Sequence, residues 1–216
     1  MSVTKMIIIL SHIPVFAVAL YACIIFKTLK PDLKWFAGFL FVSGILQLVS
    51  FSLWFMKINN LFVLHLLVPL GFVFLAMYYR NVLQAFLDRS ILLITAACFV
   101  VFSAINSCYY QHPDVFNSNA LTVECVLILI LSLSTYTLFL NKELERKNLQ
   151  SVSSLNWINS GLFVYHVSTL LIFYFGEYIT SHVGLELSRY TWVVHSFFSV
   201  IMYFCFWKGL WERTIK

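Results

Sequence analysis

Seven uninterrupted apolar runs leave this chain few ways to fold; they cover residues 6–26, 35–56, 61–79, 90–107, 121–140, 157–178 and 192–211. Runs of about 20 residues match a hydrocarbon layer about 30 Å thick when each residue rises about 1.5 Å along a helix. Barrel strands would be about half as long and would alternate in polarity. An open sheet is excluded because its unpaired edge amides have no partner in lipid. The sequence therefore predicts an all-α polytopic membrane protein, a single domain over residues 1–216 with seven transmembrane helices. Composition agrees, since 61% of the 216 residues are hydrophobic and 11% are charged, against roughly a quarter charged in soluble domains. A small water-soluble fold has too much surface to hide so much apolar material.

The net charge of +5 is no sign of a nucleic-acid partner, because the basic residues stand at the ends of the apolar runs and face lipid headgroups. Their distribution orients the chain. One set of ends holds three basic residues, Lys5, Lys57 and Arg189. The other holds eleven: Lys27, Lys30, Lys34, Arg80, Arg89, Lys142, Arg146, Lys147, Lys208, Arg213 and Lys216. The connections are short, the regime in which basic residues stay cytoplasmic. The expectation is a multi-pass protein of the cell inner (cytoplasmic) membrane with its N-terminus out and its C-terminus in. Trp35, Trp157, Trp207 and Trp211 then fall at inner ends, and Trp54 and Trp192 at outer ends, where amphipathic rings prefer the headgroup level. The longest connection, residues 141–156, reads as a solvated flexible link.

Ionisable groups inside spans are costly and default to functional candidates. With this orientation His12, His65, Glu124 and His195 all lie in the outer half, about 5–9 Å below the boundary at about 1.5 Å per residue. Glu177, His182, His112 and Asp114 lie near the same face. Imidazoles with a carboxylate suit zinc or another transition metal, with His65, Glu124 and His195 as the candidate ligands. Two imidazoles would also suit haem, and His and Glu can relay protons. The alternative is ordinary snorkelling to water. Pro69 and Gly71 follow His65 within two turns, so a bend could open a pocket below it. The sixth run is the most polar. His166 is expected neutral and bonded to a neighbour, with Gln47 at matching depth; Asn159, Ser160 and Gly161 suit close helix packing. The five cysteines form no metal-type pattern, and Cys108 and Cys125 read as free thiols rather than a bridge.

Several segments carry a family resemblance: Asn59-Asn60-Leu61-Phe62-Val63-Leu64-His65, the stretch around Glu124, Trp157-Ile158-Asn159-Ser160-Gly161, and Val194-His195. They resemble a family of uncharacterised bacterial seven-helix integral membrane proteins. In that family an acidic residue follows the histidine six positions on, where this chain has Gly71. The resemblance implies the seven-helix topology and singles out His65, Glu124 and His195; it implies no activity. A retinal protein would need a lysine near the middle of the last span, whereas Lys208 stands near its inner end.

The residues suit a sensor or accessory signalling module, with a polar pocket in the outer half read by a separate cytoplasmic or membrane protein. A membrane-embedded metal-dependent lipid hydrolase is one alternative, and a small transporter or channel, as a homo-oligomer, another. Enzymatic activity is left open.

Overall fold

The computed structural model describes residues 3–84, 87–140 and 149–214. The expected basic link at Lys142, Arg146 and Lys147, and Lys216, lie outside the described residues. Among the described residues every regular element is helical. The helices are α1 (Val3–Leu10), α2 (His12–Ile25), α3 (Pro31–Phe55), α4 (Phe62–Val82), α5 (Arg89–Ile105), α6 (Ser118–Phe139), α7 (Leu149–Tyr174), α8 (Gly176–His182) and α9 (Leu185–Thr214). Among the described residues six helical stretches are long and apolar enough to cross a membrane; α7 and α8, bent by 47° at their junction, make a seventh if counted as one span. Outward-facing side chains match that solvent: Leu20, Ile24, Ile94, Leu171 and Phe204 are all more than 60% exposed. In water such a surface would aggregate; in lipid it is simply solvated.

The chain falls into two compact units. The first combines Met1–Leu29, Cys125–Ile172 and Gly184–Lys216. Here α9 packs on α1 and α2, with Tyr21 stacked on Trp207 at 5.5 Å between ring centres. Helices α7 and α9 approach closely because glycine leaves room. A Cβ on Gly161 would stand 2.8 Å from that of Cys205, and one on Gly209 would stand 2.9 Å from the Ser154 carbonyl. Small residues let membrane helices come together where dispersion and hydrogen bonds, rather than water exclusion, hold them.

The second unit combines Lys30–Glu124 and Phe173–Val183. Helix α3 starts at Pro31, whose missing N–H costs nothing at a first position. It ends in a Schellman closure: Ile58 N–H reaches the Leu53 carbonyl and Lys57 N–H the Trp54 carbonyl, with Lys57 at φ 58°. Helices α3, α4 and α5 then pack in sequence around Phe36, Leu40, Phe72, Leu75, Tyr78 and Phe99. Helix α5 is capped by Asp88, whose carboxylate accepts from Ser90 N–H at 2.8 Å. That bond holds the Asp88 carboxyl below its ordinary value.

Three expectations about element ends are corrected. Residues 149–156, read as flexible link, belong to α7, and α9 begins seven residues before Trp192. A helix can continue past the apolar stretch that lipid requires, so hydropathy marks the lipid boundary and not the helix end. His195 is therefore about 15 Å, nearly three turns, from the start of its helix rather than one turn. The run read to residue 178 breaks after Tyr174, and Glu177 and His182 lie on the separate short helix α8.

Candidate functional site

His65 is buried in the first turn of α4 and uses both ring nitrogens. Nδ1 lies 2.7 Å from the Ser107 hydroxyl and Nε2 lies 3.1 Å from the Val115 carbonyl. A carbonyl only accepts, so Nε2 carries a hydrogen. Ser107 sits in a single π turn, Asn106–Tyr110, that ends α5, and Val115 lies in the connector to α6. One imidazole thus ties α4 to the last turn of α5 and to the following connector. Pro69, four residues on, has no N–H to offer the His65 carbonyl, yet α4 continues through it from Phe62 to Val82.

Around this histidine the connector is stapled by amides. Asn59 donates to the Asp114 carbonyl at 3.0 Å, and Asn60 donates to the Ser50 hydroxyl at 2.7 Å. Asn106 Nδ2 donates to Gln111 Oε1 and to Asn117 Oδ1, each at 3.0 Å, while Asn119 Nδ2 donates to Asn106 Oδ1 at 2.9 Å. Gln111 Nε2 donates to the Glu177 carboxylate, and Glu177 N–H donates to the Ser118 hydroxyl at 2.7 Å. The start of α8 is thereby pinned to the connector, where Phe116 fills the space that a Cβ on Gly176 would need.

The amide orientations follow from fixed anchors. The Asn119 backbone N–H meets Gln111 Oε1 at 2.9 Å and the Glu177 carboxylate meets Gln111 Nε2, so Gln111 can point only one way. Asn106 must then offer its NH2 to Gln111, and Asn117 must offer its oxygen to Asn106. Asn117 Nδ2, fully buried, is left with no partner among the described residues, as is the buried Ser103 hydroxyl. Sequence reasoning missed these residues because asparagine and glutamine in a connector read as ordinary turn formers. The available signal was density, four side-chain amides within residues 106–119.

The other expected site residues divide between the units. Glu124 belongs with His65 in the second unit, where its Oε1 lies 3.8 Å from the place a Cβ on Gly71 would take. His12 and His195 belong to the first unit, within electrostatic reach of each other. There His195 Nε2 meets the Tyr165 hydroxyl at 2.8 Å and its ring stands edge-on to Trp192. His166 Nδ1 donates to the Leu162 carbonyl of its own helix at 2.7 Å. Asn159 donates to the Ser132 carbonyl at 3.1 Å, and Ser160 meets the Tyr136 hydroxyl at 2.8 Å, as close packing requires. Cys108 and Cys125 are both free thiols.

The expected metal centre does not assemble. Among the described residues no group of three or more His, Cys, Asp or Glu side chains could hold an ion. Neither nitrogen of His65 has a lone pair directed at open space, because one donates to a carbonyl and the other faces a hydroxyl. A zinc or other transition-metal site of three such ligands therefore loses the support that matching depth gave it. Compared with family models, with curated proteins and with solved structures, the chain matches none.

Proposed function

We propose that this chain is a sensor or accessory signalling module of the cell inner membrane, with the connector after α5 facing outward and the basic ends in the cytoplasm. The supporting observation is the position of His65. A buried ionisable side chain joins three separate backbone segments through two hydrogen bonds, at 2.7 and 3.1 Å. Any event that changes what the ring donates or accepts must alter how α4, the end of α5 and the connector hold together. A sensor needs such an element with two arrangements of different ligand affinity. The three-to-eleven split of basic residues supports the orientation. A separate cytoplasmic or membrane protein reads the change. A lipid hydrolase has no comparable observation behind it, and neither does a channel.

The test is transmission. His65→Gln is introduced into the full chain in lipid nanodiscs, and backbone hydrogen exchange is compared with the parent. A sensor passes the disturbance on, so exchange is expected to change in residues 106–119 and also in residues 153–157 of α7, which belong to the other unit. A change confined to the connector would sink the reading.

A further inference from the structure

The hydroxyl beside His65 is asked for two hydrogen bonds with one proton. Ser107 Oγ lies 2.7 Å from His65 Nδ1 and 2.9 Å from the Ser103 carbonyl one turn back. The Ser103 carbonyl can only accept. So can Nδ1 in a neutral ring, because the Val115 carbonyl already fixes the ring hydrogen on Nε2. In the neutral ring one of these two contacts must lack a hydrogen. Adding a proton at Nδ1 resolves the conflict: Nδ1–H donates to Ser107 Oγ, Ser107 donates to the Ser103 carbonyl, and Nε2–H still donates to Val115. The geometry is complete for the imidazolium and one hydrogen short for the imidazole.

We infer that His65, Ser107 and the carbonyls of Ser103 and Val115 form a proton-binding site, and that proton uptake tightens the connector on α4. This rests on the sensing reading above and names its ligand. The ring nitrogens and Ser107 Oγ gain no ion pair in the process. The titratable or charged groups of the same unit at this end of its helices are His112 and Asp114 in the connector, Lys57 at the end of α3, Glu177 on α8 and Glu124 on α6. None of them is hydrogen-bonded to the His65 ring, whose partners are a hydroxyl and a carbonyl. The sign follows from the count of bonds. The tightened connector has one more hydrogen bond when the proton is on, so it binds the proton better than the loosened one does, and acid favours it.

The experiment uses the full chain in lipid nanodiscs, with ¹⁵N-labelled histidine to read ring protons and hydrogen exchange to read the connector, between pH 8 and pH 5. The His65 signals are those lost in His65→Gln. The expected result is a ring with hydrogen on Nε2 alone at the alkaline end and on both nitrogens at the acid end. Exchange in residues 106–119, corrected for its intrinsic rate, should slow by several-fold to about tenfold on acidification, the worth of one added hydrogen bond. His65→Gln should abolish that slowing, and Ser107→Ala, which removes the Nδ1 acceptor but keeps the ring, should move proton uptake to lower pH. A ring that carries one hydrogen throughout, or a connector whose pH response is the same in the parent and in His65→Gln, overturns the proton site. A connector that follows the ring while residues 153–157 stay unchanged keeps the proton site and sinks the sensing reading instead.

Discussion

The α7–α9 seam of the first unit and the 106–119 connector of the second are both rich in polar groups, but they spend them differently. In the seam a few bonds end on a backbone carbonyl or converge on Glu212. Ser154 donates to the Gly209 carbonyl at 2.6 Å, Trp157 donates to Glu212 at 3.1 Å, and Lys208 pairs with Glu212 at 3.4 Å. The close approach itself rests on Gly161 and Gly209, not on any of these bonds. In the connector each amide depends on the orientation of the next, from Glu177 through Gln111 and Asn106 to Asn117, and the relay ends on a buried donor with no partner among the described residues. A seam built from steric fit has one arrangement. A relay of hydrogen bonds that is one proton short at His65 changes its set of bonds when that ring takes up a proton, and its members respond together.

The strongest way to break that contrast is to fill the seam. Gly161→Val would put a branched side chain where even a Cβ meets Cys205 at 2.8 Å and the Met202 carbonyl at 3.1 Å. The carbonyl belongs to backbone that cannot step aside, so the helices must part. Overpacking of this kind costs about 3 kcal/mol, read as a lowered midpoint for unfolding in mixed micelles. Next in size is Asn106→Leu. It removes the amide that serves Gln111, Asn117 and Asn119 together and strips the buried Asn117 Oδ1 of its bond from Asn106, a loss of roughly 2 kcal/mol. Hydrogen exchange should quicken most in residues 106–119, with a smaller change reaching residues 153–157 of the α7–α9 seam. Equal loosening of both regions would mean that the connector is not a separate cooperative element.

The contrast also explains what was legible beforehand. The spans were legible because lipid imposes a long apolar run on any helix that crosses it. His65 and Glu124 stood out because an ionisable residue in such a run is an anomaly. Gly161 and Asn159 were legible as packing residues by the same logic. The starts of α7 and α9 were not, since Ser and Gln beyond the lipid boundary carry no periodic signal although the helix continues. Nor was the relay, because what matters in Asn106, Gln111, Asn117 and Asn119 is which atom faces which, and that depends on the backbone between them. The expected grouping of His65 and Glu124 with His12 and His195 rested on depth. Depth is one coordinate of three, and within the second unit it is matched by contact only where Glu124 lies near Gly71, within two turns of His65 along α4.

Two smaller changes sharpen the comparison at the borders of the second unit. Lys57 holds a positive φ that a side chain disfavours, at the closing turn of α3. Lys57→Gly should therefore stabilise the protein by about 0.5–1 kcal/mol, with the gain showing in the exchange of Lys57 and Ile58 N–H. The smallest effect is expected at Asp88. Its carboxylate is fully exposed and accepts from Ser90 N–H, and its carboxyl is held below the ordinary value by that bond. A lowered carboxyl means that the folded form prefers the charged state. The contribution is thus complete above the ordinary carboxylate range, near pH 4, and is lost as the pH falls through the lowered value. Acid should therefore fray the first turn of α5 in the parent, while Asp88→Asn, which still accepts from Ser90, should show no such slope. The two proton responses would then run in opposite directions within one unit, with acid loosening the start of α5 at Asp88 and tightening its end at His65. Exchange measured along α5 across the same pH series separates them, and a uniform response from Arg89 to Ile105 would show that the helix does not treat its two ends independently.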